Sequence, residues 1–203
     1  MPTHTPTTAE QYLIAHLRAA VCPDDRPAVR VVLSQGRLFT PRPWPASGAP
    51  RRGTPTRCFT NALRIAHRVG GAYVEGYVLT DGGIRRHAWS TDTHGAVLDP
   101  THPRNEAAQA YLGVPIAPWF VNAFQQRTLT KTHFVGVLDT RVQTERDADR
   151  IHNNGIPPLA LLDIGTAMPS PTGPCPGQAQ HRPRHTTCAG RNTCVASPTQ
   201  AKA

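Results

Sequence analysis

The chain has 203 residues, of which 38% are hydrophobic and 17% charged, enough for one domain with a core and short for two. Lys and Arg outnumber Asp and Glu by 22 to 13, and the net +9 divides into +4 over residues 1–55, +1 over 56–163 and +4 over 164–203. A near-neutral middle argues against a folded face that grips phosphates, and the lack of ~20 consecutive apolar residues or of a basic-then-apolar leader points to a non-membrane, cytoplasmic protein.

In chain order, Thr7 and Thr8 followed by Glu10 read as a helix start, with Tyr12, Leu13, Ile14, Leu17, Ala20 and Val21 as its apolar stripe. Residues 28–33 (AVRVVL) are short and β-branched and predict a strand. A turn at Ser34-Gln35-Gly36 would then return residues 37–40 as a hairpin partner. Residues 41–55, with five Pro and two Gly, read as a loop. Over 57–69 the periodicity is helical: Cys58, Ala62, Ile65, Ala66 and Val69 share one side, Arg64 and Arg68 fall on the other, and Gly70-Gly71 ends the run. Strands are predicted at 72–80, 84–90 and 96–99, the first two joined by the hairpin signal Asp81-Gly82-Gly83. Helices at 105–112 and 118–127, a strand at 134–138 and a polar helix at 144–153 follow. The resulting division is a flexible N-terminus at 1–7, one α+β domain at 8–163, and a basic, Pro-rich, disordered tail at 164–203.

Residues 57–101 carry the chemistry. Cys58 stands in the first turn of a helix, where the partial positive charge of the N-terminus favours a thiolate. A thiolate that attacks a carbonyl needs an imidazole to hold the ion pair and protonate the leaving group, and His87 is the candidate. The imidazole needs an orienting carboxylate. A short turn centred at residue 93 would set Asp99 opposite His87 by hairpin geometry alone.

CFTNA opening a helix, then YVEGY, HAW and VLDPT, resembles the transglutaminase-like branch of the papain-like cysteine-enzyme superfamily over about 45 residues. The resemblance implies an α+β core with the Cys-bearing helix packed on an antiparallel sheet. It also implies thiol acyl transfer: amide or peptide hydrolysis, transamidation or deamidation, with Cys58 as nucleophile, His87 as base and Asp99 as orienting acid. Phe59 stands where many members have Trp, and no Gln lies between Gly36 and Cys58 to serve as the papain-type oxyanion donor, which leaves the Cys58 N–H with Asn61 or a loop group.

Plainer readings stand beside these. Cys58 alone is equally a small buried residue, Trp89 a core residue that shields His87, and Asn61 a helix-packing amide. Glu75 alternates with Tyr73 and Tyr77 on one strand face, as a solvent-facing group or an acid of the cleft or its supporting shell. No cofactor or metal is implied: His87, His94, Asp99 and His102 lack a recognised ligand spacing, as do Cys175, His181, His185, Cys188 and Cys194 in the tail. The odd number of cysteines, five, argues against a disulfide framework. The expected activity is hydrolysis or acyl transfer on a peptide, protein or small amide. The alternative is an inactive interaction protein of a phage or mobile element whose basic tails touch nucleic acid or an acidic partner.

Overall fold

The computed structural model describes residues 5–21, 27–48, 50–101, 107–128, 134–138 and 145–169. All belong to the first of two units into which the chain divides, Met1–Ser170. The fold is α+β: α1 (Thr8–Val21), α2 (Pro27–Gln35), β1 (Arg37–Phe39), α3 (Cys58–Val69), β2 (Tyr73–Thr80), β3 (Gly83–Thr91), β4 (Val97–Leu98), β5 (Ala108–Ile116), α4 (Pro118–Thr128), α5 (Glu145–Asn154), a 3-10 turn at Pro158–Ala160 and β6 (Thr166–Ala167). The strands form one six-stranded sheet in the order β4-β3-β2-β5-β1-β6, antiparallel at every pairing. No helix among the described residues is long and apolar enough to cross a membrane.

α1 begins as its sequence predicts. Thr7 and Glu10 cap each other, the Glu10 carboxylate accepting the Thr7 N–H at 2.8 Å and the Thr7 hydroxyl the Glu10 N–H at 3.2 Å. Leu13, Ile14 and Leu17 are buried, whereas Tyr12 stays largely exposed beside His16.

Four expectations are overturned. Residues 28–33 are helix, not strand, so the hairpin with 37–40 does not form and β1 pairs with β5 and β6 instead. Pro27 presets the first helical φ, Val29, Val31 and Val32 are buried, and Gln35 exchanges two hydrogen bonds with the Ile156 backbone at 2.7 and 2.9 Å. Tertiary burial outweighs the modest β preference of valine. The expected helix at 105–112 is strand β5 where it is described, at the centre of the sheet between β2 and β1. Its Ala110, Leu112, Val114 and Ile116 alternate onto the helix-covered face with a period of two, and Ala-Gln-Ala at its start hides that pattern. The expected strand at 134–138 is irregular, because its N–H groups go to a buried carboxylate rather than to a ladder. Finally, residues 164–169, placed by composition in the tail, remain in the fold: Thr166 and Ala167 pair with β1, and Ile164 packs on the small core.

Residues paired across the sheet share a face. Tyr73, Glu75, Tyr77, Arg86 and Ala88 therefore lie on one side, with the main core and the helices. Val74, Gly76, Val78, His87 and Trp89 lie on the other, where Phe39, Tyr111, Leu162 and Ile164 complete a second, smaller core. Trp89 is fully buried there, its ring 4.8 Å from that of Tyr111 and 5.7 Å from that of Phe39. It reaches across β2 to Gly113 of β5, where an added Cβ would come within 2.6 Å of the indole. Gly113→Ala is expected to destabilise the domain by about 1–3 kcal/mol, read as a lower urea midpoint with quenched or shifted Trp fluorescence.

Candidate active site at Cys58, His87 and Asp99

The turn after β3 fixes the first pair. Asp92 accepts the N–H groups of His94 and Ala96 on its carboxylate at 2.9 and 2.8 Å, Gly95 takes a positive φ of 85°, and the observed pairs Ser90–Leu98 and Thr91–Val97 centre the turn on residue 94. The expected centre at 93 is thus one residue short, and Asp99 falls diagonal to His87 rather than opposite it. Both still point to one face, since a shift of one residue in the centre moves the pairing by two, and diagonal neighbours remain within reach of long side chains. The His87 Nε2 lies 2.7 Å from the Asp99 Oδ2.

Around that contact the Asp99 carboxylate is fully occupied. Its Oδ1 accepts the Thr101 backbone N–H at 3.0 Å and the Thr101 hydroxyl at 3.2 Å, and its Oδ2 accepts the Tyr111 hydroxyl at 3.0 Å. Burial alone would raise the Asp99 carboxyl, but the hydrogen bond and charge of His87, with Thr101 and Tyr111, hold it below the usual carboxylate value. For His87, burial pulls the pKa down. The hydrogen bonds to Asp99 and to Cys58 and the negative charge of both raise it more, to about 9. The Cys58 side chain is thus close enough to the ring to contribute to that shift. With Nε2 engaged by Asp99, Nδ1 is the nitrogen left to address the thiol.

Cys58 is half-buried and free of any disulfide, at the first position of α3. Its N-terminal neighbour Arg57 closes the preceding turn through its N–H to the Thr54 carbonyl at 3.1 Å and makes no side-chain cap, so the first-turn N–H groups remain available to a ligand. The other four cysteines and His102 lie outside the described residues. His94 sits exposed at the turn tip, away from the pair. Among the described residues no group of three or more His, Cys, Asp or Glu is arranged to hold a metal ion.

Asn61 is buried, and its amide donates to the Thr54 carbonyl at 2.8 Å, tying the loop before Cys58 to α3. This is a positioning contact rather than one aimed at a substrate carbonyl. Trp89 lies on the same face as His87, ring centroids 6.4 Å apart and nearly parallel, and covers the imidazole from below as a core residue.

Glu75 faces neither solvent nor an open cleft. It is wholly buried and bound by Arg86, by the Tyr73 hydroxyl at 3.0 Å, and by the Val137 and Leu138 N–H groups at 2.6 and 3.1 Å. Burial first, then the Glu75 carboxylate, raise the Tyr73 phenol well above its ordinary pKa, so its hydroxyl stays protonated and donates. Gly136, at φ 105°, brings the 134–138 segment against this carboxylate where any Cβ would collide. Arg86 also lies 4.9 Å from the Phe59 ring, so the cluster braces the residue next to Cys58 from the opposite face of the sheet.

Tyr111, Thr101 and Arg86 were not legible as site residues. Thr101 alone has a sequence signal, since a hydroxyl residue two after Asp favours a local turn closed on the carboxylate. No family model, curated protein or solved structure matches the chain.

Two outcomes follow from these contacts. His87 is raised from 6.5 to about 9 in the folded chain, so its stabilising contribution is complete below pH 6.5 and is lost as pH climbs through 9. Unfolding free energy measured in urea should therefore fall on the order of 3 kcal/mol across that window, and His87→Gln should flatten the fall. Glu75→Ala strands Arg86 and two buried N–H groups, and is expected to lower stability by about 3–5 kcal/mol in the same assay.

Proposed function

We propose that the chain is a thiol-dependent amide or peptide hydrolase or acyltransferase with a papain-like, transglutaminase-like core, acting through Cys58, His87 and Asp99. The observation that carries this reading is the position of His87, a buried imidazole held by Asp99 on Nε2 and adjoining the Cys58 thiol. A cysteine at a helix start, a protonated imidazole beside it and a carboxylate fixing that imidazole are the three parts thiol acyl transfer requires.

In the proposed reaction the Cys58 sulfur, as thiolate, attacks the carbonyl carbon of the acyl donor and forms a C–S bond. The carbonyl electron pair moves to oxygen, where the Cys58 N–H, unpaired within α3, is placed to stabilise it. The intermediate collapses as the C–N bond breaks, and His87 gives its proton to the leaving nitrogen, producing a thioester and a neutral imidazole. Water or an amine then attacks the thioester, His87 takes the proton of that nucleophile, and the C–S bond breaks to regenerate the starting pair. Asp99 keeps the ring in the orientation that points Nδ1 at sulfur throughout.

The reading is tested with p-nitrophenyl acetate as acyl donor, following p-nitrophenol release and the acetylated mass of the Cys58 peptide. Acetyl transfer to Cys58 is expected, abolished in Cys58→Ser and slowed about 10²- to 10⁴-fold in His87→Ala. With an amide donor, acylation should fall on the alkaline side as His87 loses its proton near pH 9. Acetylation spread equally over other cysteines, or unchanged in His87→Ala, overturns the proposal.

A further inference from the structure

The proposed chemistry leaves the acyl donor unnamed, and the loop that leads into Cys58 supplies a constraint on it. No Asp or Glu occurs between Asp25 and Glu75, while Arg42, Arg51, Arg52, Arg57, Arg64 and Arg68 fall between β1 and the end of α3. All six are on described residues, Arg52 partly buried and the others exposed. The loop lines an open cleft of about 630 Å³, whose walls include Trp44, Pro45, Ser47, Pro50, Arg51 and Arg52. That volume is in the range of pre-formed ligand sites.

The loop that lines the cleft is tied to the two segments that carry the candidate site. The Gly53 N–H, next to Arg52, donates to the Pro100 carbonyl at 3.3 Å, and Pro100 adjoins Asp99. Asn61 and Arg64 of α3 donate to the Thr54 and Arg51 carbonyls at 2.8 and 2.9 Å. An added Cβ at Gly53 would lie 2.0 Å from the Asn61 amide, so the loop approaches α3 as closely as glycine allows. Its proline walls offer no N–H donors. The charged donors of the cleft are the guanidinium groups of Arg51 and Arg52, beside the Ser47 hydroxyl, and a guanidinium suits a carboxylate in a bidentate geometry.

We propose that this Arg-lined cleft docks a carboxylate-rich polypeptide and delivers its acyl group to Cys58, an assignment of substrate class that rests on the thiol reading above. A peptide fits better than a nucleic acid on two counts. The Arg52 guanidinium already lies 5.2 Å from the centre of the Trp44 ring, taking the aromatic face on which a base would stack. A peptide also brings the carbonyl that a thiol acyl transfer consumes, and an oligonucleotide backbone does not.

The test uses the full chain carrying Cys58→Ser, so that binding is read without turnover. Fluorescence anisotropy is measured with a labelled Glu-Gly repeat decapeptide, its Lys-Gly counterpart and a single-stranded oligothymidylate of equal charge, at low and high salt. The acidic peptide is expected to bind, to weaken with salt, and to lose at least tenfold in affinity in Arg51→Glu/Arg52→Glu, with a smaller loss in Arg51→Gln/Arg52→Gln. The Lys-Gly peptide should not bind. Acidic-peptide binding indifferent to both double variants, or oligothymidylate binding more tightly and lost in the same variants, overturns the proposal. Because Cys58→Ser cannot turn over, Arg-dependent peptide binding supports the docking site whatever the acetylation assay returns, and the two failures are distinguishable.

Discussion

The rest of the site depends on one buried contact, the hydrogen bond between His87 and Asp99. Taking two ionisable groups out of water costs several kcal/mol each, and their attraction offsets that only when the remaining lone pairs are also satisfied. Both oxygens of Asp99 meet that condition, through donors from three places: β3, the bend after β4 at Thr101, and β5 at Tyr111. Tyr111 can contribute because the sheet order sets β5 beside β2, and β2 beside β3, with Gly76 keeping their shared face low opposite His87. The sheet topology and the pair thus specify each other. A hydrophobic pair would fill such a place at less electrostatic cost, so the contact is weak evidence for stability and sets the geometry of the imidazole instead.

The two faces of β2 and β3 divide the work. On one, His87, Trp89 and Tyr111 form an aromatic bed that fixes the imidazole. On the other, Glu75 gathers Arg86, Tyr73 and the 134–138 segment, and Arg86 in turn lies over Phe59. Cys58 is therefore placed by α3 and by its neighbour Phe59, which Arg86 braces on the helix-covered face, while His87 is placed on the other face. A strand two residues out of register would break both sets at once, so the site is only as precise as the β2–β3 ladder.

What was legible follows from how local each signal is. Thr7 with Glu10, the run from Cys58 to Gly70, the Asp81-Gly82-Gly83 hairpin and the proximity of His87 to Asp99 are all encoded within a dozen residues, and the structure reproduces them. The register of the 92–96 turn was off by one because the Asp92 carboxylate captures two N–H groups and lengthens the loop. Residues 28–33 and 108–112 depart from their local signals for one reason: their neighbours, not their composition, decide their state. Three valines become helix when Gln35 locks α2 onto Ile156, and Ala-Gln-Ala becomes strand when β2 and β1 close on either side. The role of Glu75 was illegible because its partners at 137 and 138 lie some sixty residues away, in a segment with no pattern of its own.

Charge shows the same limit of local reading. Partition by sequence assigned the excess to two ends and left a neutral middle, which treats residues 1–55 as an appendage. In the fold, Arg42, Arg51 and Arg52 belong to the loop that is pinned on α3 and Pro100, whereas Arg37 of β1 is ion-paired with Asp163 at 2.6 Å. Two of the acids counted in the middle, Glu75 and Asp99, are buried, Glu75 with Arg86 of the same segment and Asp99 with His87. In the proposed docking, an anionic partner would meet this Arg-bearing loop, with its Arg52–Trp44 stack, ahead of the thiol.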